Sequence, residues 1–292
     1  LTVAVQKEPE FDWDAPIFRV FPLWFFEQAL QMRSLTFVRP SRWDDPFEDV
    51  SSNVAMTDER TGQHRHFTEF LTPAYAQCWS FESNSDTLIR AYSQVSVDPV
   101  VGRNRTPYAE GVRVASSPRK IIKALKDQSS KHPRANFYVG KVRYCSSDEI
   151  SQFVTNGLGA IGAARMALPD HRADTLFLKD SYYRHESELR VLVISRDRSA
   201  GPEFFNIEFD PNLMIDAVEF DPRLRLFERN EREAKARTLG YVGPFTGVEK
   251  SLRNIFNVVL PNGWGPDEAK PENKDPEPPK PKDDDSKPAS SA

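Results

Sequence analysis

Strand-like and helix-like segments follow one another along this sequence without a regular strand–helix–strand repeat, and that irregularity points to an α+β fold rather than a doubly wound sheet. Residues 17–21 (IFRVF) alternate as a short strand, with Arg19 set between bulky apolar neighbours. Pro22 then opens a compact apolar helix over 23–31. Further strands are predicted over 34–38, 75–81, 111–115, 137–145, 204–209 and 213–220. The run 188–194 (ELRVLVI) is the most strand-like of all. Helices are expected over 64–71, 83–91, 119–126, 148–167, 170–180 and from Pro222 through 237. In the 83–91 helix, Ser85 or Asp86 is the expected cap, with Leu88, Ile89 and Tyr92 turned inward.

Composition sets the boundaries. Residues 261–292 hold eight prolines, and Trp264 is their only large apolar side chain. Such a segment cannot offset its ordering entropy by burial and is expected to stay disordered. Its eight acidic residues and five lysines account for three of the four net negative charges, so the rest is close to neutral. A global field that would gather duplex nucleic acid is therefore absent. The expected organisation is an N-terminal arm over 1–16, one α+β domain over 17–259 and a loose tail over 260–292. No apolar run reaches the length of a membrane span, and residues 1–11 lack the basic-then-apolar pattern of a signal peptide, so a cytoplasmic location is expected. Cys78 and Cys145 read as two free buried thiols, and the five histidines form no recognisable metal cluster.

Chemistry is suggested by a few positions. Glu186 and Glu188 lie two apart in YRHESELR. If the strand begins early they share a face, where repulsion and burial would raise one pKa. The same residues also read as solvated charges paired with Arg184 or Arg190. Arg19 reads either as a bidentate phosphate grip or as the outward residue of an amphipathic strand. Ser80, ending an apolar strand, either anchors backbone or orients a ligand. The loop around Trp43, Asp44, Asp45 and Phe47 sets two carboxylates beside aromatics. The glycines at 157, 159 and 162 match a dinucleotide fingerprint in spacing alone and are explained by close helix packing.

Taken in order, several motifs resemble a widespread bacterial and phage family long catalogued as a domain of unknown function. They are Phe18-Arg19-Val20, Leu35-Thr36-Phe37, Asp44-Asp45-Pro46-Phe47-Glu48, Cys78-Trp79-Ser80-Phe81, the 88–92 turn, Gly111-Val112-Arg113-Val114, and Lys179, Tyr183, Glu186, Glu188 and Arg190. Asp44 stands where that family usually has asparagine. The family is distantly similar to the ADP-ribosyltransferases, which share a mixed split sheet with flanking helices and a cleft for NAD.

That resemblance implies roles for particular residues. Arg19 would grip the diphosphate or ribose side of NAD, and Ser80 would bond the ribose or position Glu188. Tyr92 or Tyr183 would stack on nicotinamide. Glu188 would stabilise the cationic ribose, and Glu186 would activate a macromolecular acceptor (protein, DNA or RNA). Roles as a toxin or in antiviral defence are implied with it. Two other readings stay open: a non-catalytic binding or regulatory domain, and a nuclease using Asp44, Asp45, Glu48 and Glu188 with a divalent metal.

Overall fold

A computed structural model of the chain describes residues 3–5 (backbone only), 12–43, 45–83, 86–197 and 201–247. The proline-rich segment, the expected domain end at 259, Asp44 and the Ser85 cap lie outside the described residues.

The fold is α+β. Among the described residues a nine-stranded mixed sheet forms the centre. Its main path runs Val3–Val5, Ala135–Lys141, Glu188–Ser195, Ala74–Ser80, Ile17–Pro22, Gly111–Ser116 and Ala217–Phe220. The first pair is parallel and every other pair is antiparallel. Val3–Val5, expected as part of a loose arm, instead pairs with Phe137–Val139.

The Glu188–Ser195 strand reads as an unbroken apolar run because both its faces are covered. Leu189, Val191 and Val193 pack into the larger core with Phe26, Phe37, Trp79, Ile121 and Leu125. Leu192 and Ile194 face a second core built with Ala173, Leu176 and Phe177.

The sheet divides at the Ala74–Ser80 strand. At one end Ser80 pairs with Phe18. At the other, Ala76 pairs with Val38 of the Ser34–Val38 strand, which carries Phe204–Glu208 on its far side. Helix Leu23–Met32 joins the two branches, starting after Pro22 and ending at Arg33 in the left-handed region (φ 49°). The fork therefore leaves a notch between Ile17–Pro22 and Ser34–Val38, with the middle of Ala74–Ser80 as its floor.

Several local expectations shift. Residues 64–71 form a short strand, His64–His66, paired with Ala55–Thr57, and then a 3-10 turn. The 170–180 segment is a helix only to Leu176, after which Leu178–Asp180 pairs in parallel with Arg143–Cys145. The 213–220 segment splits into a helical turn, Pro211–Met214, and a strand, Ala217–Phe220. Close packing explains only Gly157, where an added Cβ would meet Met166 at 2.8 Å. Gly159 faces open space, and Gly162 ends its helix at φ +78°. Neither cysteine is fully buried; both are free.

Candidate functional site

The notch is a cleft of about 630 Å³. Arg19, Ser80, Tyr92, Tyr183, Glu186 and Glu188 all line it. Its wall also includes Trp43, Asp45, Glu48, Cys78 and Lys179. Sheet register explains part of this convergence, since Glu188 pairs with Ser80, and Ser80 with Phe18 beside Arg19.

The acidic end is a closed ion cluster. Lys179 Nζ lies 2.8 Å from Glu48, 2.6 Å from Glu186 and 3.1 Å from Glu188. Arg190 donates from Nε to Glu188 Oε1 at 2.7 Å and from Nη2 to Glu188 Oε2 at 3.0 Å, and it also pairs with Glu48. Its guanidinium sits over the Trp43 ring, 5.2 Å from the centroid. Glu188, Lys179 and Arg190 are 3%, 4% and 0% exposed. Three carboxylates against two cations leave one uncompensated negative charge, away from bulk water, where charge interactions are strong.

For Glu188 this reverses the direction expected of a carboxylate beside another carboxylate. Burial alone would push Glu188 up, but Arg190 and Lys179 beside it bring its carboxyl down to about 2. The pair also does not meet by sharing a strand face. Glu186 ends a 3-10 helix, Ser181–Glu186, and Glu188 begins the strand. Ser187 between them takes a left-handed backbone (φ 44°), a conformation strained for a non-glycine residue. Glu186 is the more open of the two carboxylates, with its side chain 23% exposed against 2% for Glu188.

Ser80 is occupied structurally. Its Oγ donates to the Glu186 carbonyl at 2.5 Å and accepts from the Glu82 N–H at 2.9 Å. The hydroxyl thus fixes the turn that carries Glu186. Tyr144 supports the same turn, its hydroxyl oxygen accepting the Glu188 N–H at 2.8 Å.

Arg19 lines the same cleft on the Ile17–Pro22 strand. Arg19 makes no ion pair among the described residues; its guanidinium rests over the Phe21 ring at 5.0 Å. Burial pulls its pKa down, and Cys78 and Tyr92 work weakly against that shift. Tyr92, expected to face the core, is half exposed at the cleft wall. Tyr183 has Lys179 Nζ 4.9 Å from its ring centroid.

Sequence reasoning did not assign Glu48 to this cluster, nor give Lys179 its bridging place. Glu48 sits on the 3-10 segment Pro46–Asn53, which a buried Asp49–Arg172 pair at 2.6 Å ties to helix Pro169–Leu176. A lysine inside the apolar stretch FLKD was the one available signal for Lys179. No group of three or more His, Cys, Asp or Glu side chains among the described residues is placed to hold a metal. Of the residues named for a metal site, Glu48 and Glu188 are instead closed by ammonium and guanidinium groups.

No family model matches the chain, so the expected bacterial and phage family gains no support there, and no curated protein matches it. Solved structures of Thermus sp. 2.9 DarT match across most of its length. The complex with ADP-ribosylated ssDNA is 10% identical, with a TM-score of 0.36, over 83% of this chain and 98% of that one. The complex with NAD+ is 11% identical, with a TM-score of 0.35, over 81% and 98%. The complex with carba-NAD+ is 10% identical, with a TM-score of 0.33, over 82% and 98%. At such scores the likeness decides neither fold nor chemistry.

Proposed function

We propose that the cleft binds NAD and transfers its ADP-ribose to a macromolecular acceptor. The observation that carries this reading is the charge pattern of the cleft: an arginine without an ion pair among the described residues shares it with a cation-locked carboxylate cluster that has one negative charge to spare. NAD has the matching polarity, with an anionic diphosphate and a cationic nicotinamide ring.

In this reading Arg19 holds the diphosphate, and Tyr183 or Tyr92 stacks on nicotinamide. The bond from ribose C1′ to the ring nitrogen breaks, and its electron pair leaves with nicotinamide. Positive charge grows on the ribose beside Glu188, whose ionised state is held by Arg190 and Lys179. A fixed charge waiting where charge develops lowers the barrier without reorganisation. Glu186, the more open carboxylate, takes the proton of the acceptor nucleophile as it attacks C1′. Ser80 acts on this scheme indirectly, by holding the Glu186 turn.

The test is nicotinamide release from NAD, with candidate acceptors, by wild type and Glu188→Gln. Release that collapses in the variant supports the reading; equal rates, or no turnover with any acceptor, sink it. A second reading is favoured by the near-complete burial of Glu188: the cluster is a structural clasp in a binding domain. NAD bound tightly and returned unchanged would favour that one.

A further inference from the structure

Arg190 is fully buried, and its donors are spent in the plane of the guanidinium. Nε and Nη2 form the two-pronged grip on Glu188, Nη2 also donates to Glu48, and Nη1 donates to the Leu176 carbonyl. Bonds in that plane leave the flat faces of the cation to be covered by something other than a hydrogen-bond acceptor. One face has Trp43 over it, with the ring centroid 5.2 Å from the guanidinium carbon. The electron-rich face of an indole attracts a cation, and more strongly where water is excluded.

Trp43 is itself held in place. Its backbone N–H donates to the Pro40 carbonyl at 3.0 Å, after the 3-10 turn Pro40–Arg42. Its side chain packs against the second core, which includes Leu176. Trp43 also lines the cleft, together with Glu48 and Glu188. The residue therefore has the cleft on one side and Arg190 on another.

We propose that Trp43 is a positioning residue for Glu188, acting through Arg190: its ring holds the guanidinium flat against the carboxylate and keeps the water of the cleft off the cluster. This rests on the NAD reading of the cleft and deepens it. In that reading Glu188 must present its charge at a fixed place beside the ribose. Water let in over Arg190 would compete for its donors and screen the cluster, so a preorganised charge would become a mobile one. Trp43 meets neither the breaking bond nor the moving proton in this scheme. Loss of its ring should slow the chemical step and leave NAD binding nearly intact.

The experiment measures kcat for nicotinamide release and the dissociation constant for NAD in wild type, Trp43→Phe and Trp43→Leu, with an acceptor that supports wild-type turnover. Both replacements are apolar and smaller than indole, but only phenylalanine offers Arg190 a ring face. Trp43→Leu is expected to lose about tenfold in kcat, the size of a desolvated cation–π contact, with NAD affinity within about threefold of wild type. Trp43→Phe should keep kcat within about threefold of wild type. Trp43→Met replaces the leucine variant if that one does not fold. Equal kcat in the phenylalanine and leucine variants overturns the proposal, since a role in packing alone would not separate them. A loss carried by NAD affinity with kcat kept overturns it too, and marks Trp43 as a wall for the ligand. Failure of wild type to release nicotinamide with any acceptor overturns the parent reading, and this one with it.

Discussion

Ser80 and Glu188 are register partners on adjacent antiparallel strands, and Ser80 spends its hydroxyl on the carbonyl of Glu186, two residues before that partner. The serine therefore connects the two carboxylates through backbone. Ser80→Ala would strand the Glu186 carbonyl and the Glu82 N–H. We expect a loss of about 1–3 kcal/mol in denaturant unfolding. Nicotinamide release should fall through kcat, with NAD affinity little changed.

Lys179 is the keystone of the cluster. Lys179→Met would leave Glu48, Glu186 and Glu188 with Arg190 as the sole cation of the cluster. Removing one partner of a buried pair costs about 3–5 kcal/mol. Chemical unfolding at neutral pH should show a loss of that size, and a change below about 1 kcal/mol would contradict the buried geometry.

Acid should act through Glu188. Its carboxyl falls from an ordinary 4.5 to about 2 in the folded chain. A lowered folded pKa contributes stability that is complete above the unfolded value and fades as pH drops toward the folded one. Stability should thus decline between about pH 5 and pH 2, by roughly 3 kcal/mol from this group. In Glu188→Gln that part of the decline should vanish, as read from urea midpoints across the range.

Arg19 should separate function from stability. Its guanidinium has no carboxylate partner among the described residues, and burial works against its charge. Arg19→Ala should leave the melting temperature unchanged or higher. NAD affinity should fall by about tenfold or more, since a charge-assisted bond is lost. A destabilised variant with normal affinity would mark Arg19 as structural.

The strand at Glu188 was legible because six successive residues after it are apolar or, like Arg190, buried in the same sheet. Ser80 and Arg19 were legible as unusual residue types at strand positions. Pairings between distant segments were not. Glu48 reaches the cluster on a segment that Asp49 pins through Arg172, 123 residues away. Lys179 looked like the end of a helix, and its inward aim comes from the pairing of Leu178–Asp180 with Arg143–Cys145. The His64–His66 strand is exposed throughout, so no apolar alternation marked it. The carboxylate pKa went the other way from expectation because a spacing of two shows the neighbour of like sign and hides cations supplied from elsewhere in the fold.

The fork in the sheet has one more consequence. The Ala74–Ser80 strand is fully laddered along Glu188–Ser195, but on its other side it meets Val38 at Ala76 and Phe18 at Ser80. Around Cys78 it is thus an edge strand placed in the middle of a molecule. Edges on a protein's outside invite other chains to add to them. This one lies inside the cleft, with Phe25 and Ala29 of helix Leu23–Met32 and Trp43 on the surrounding wall, so it is withdrawn from that kind of pairing.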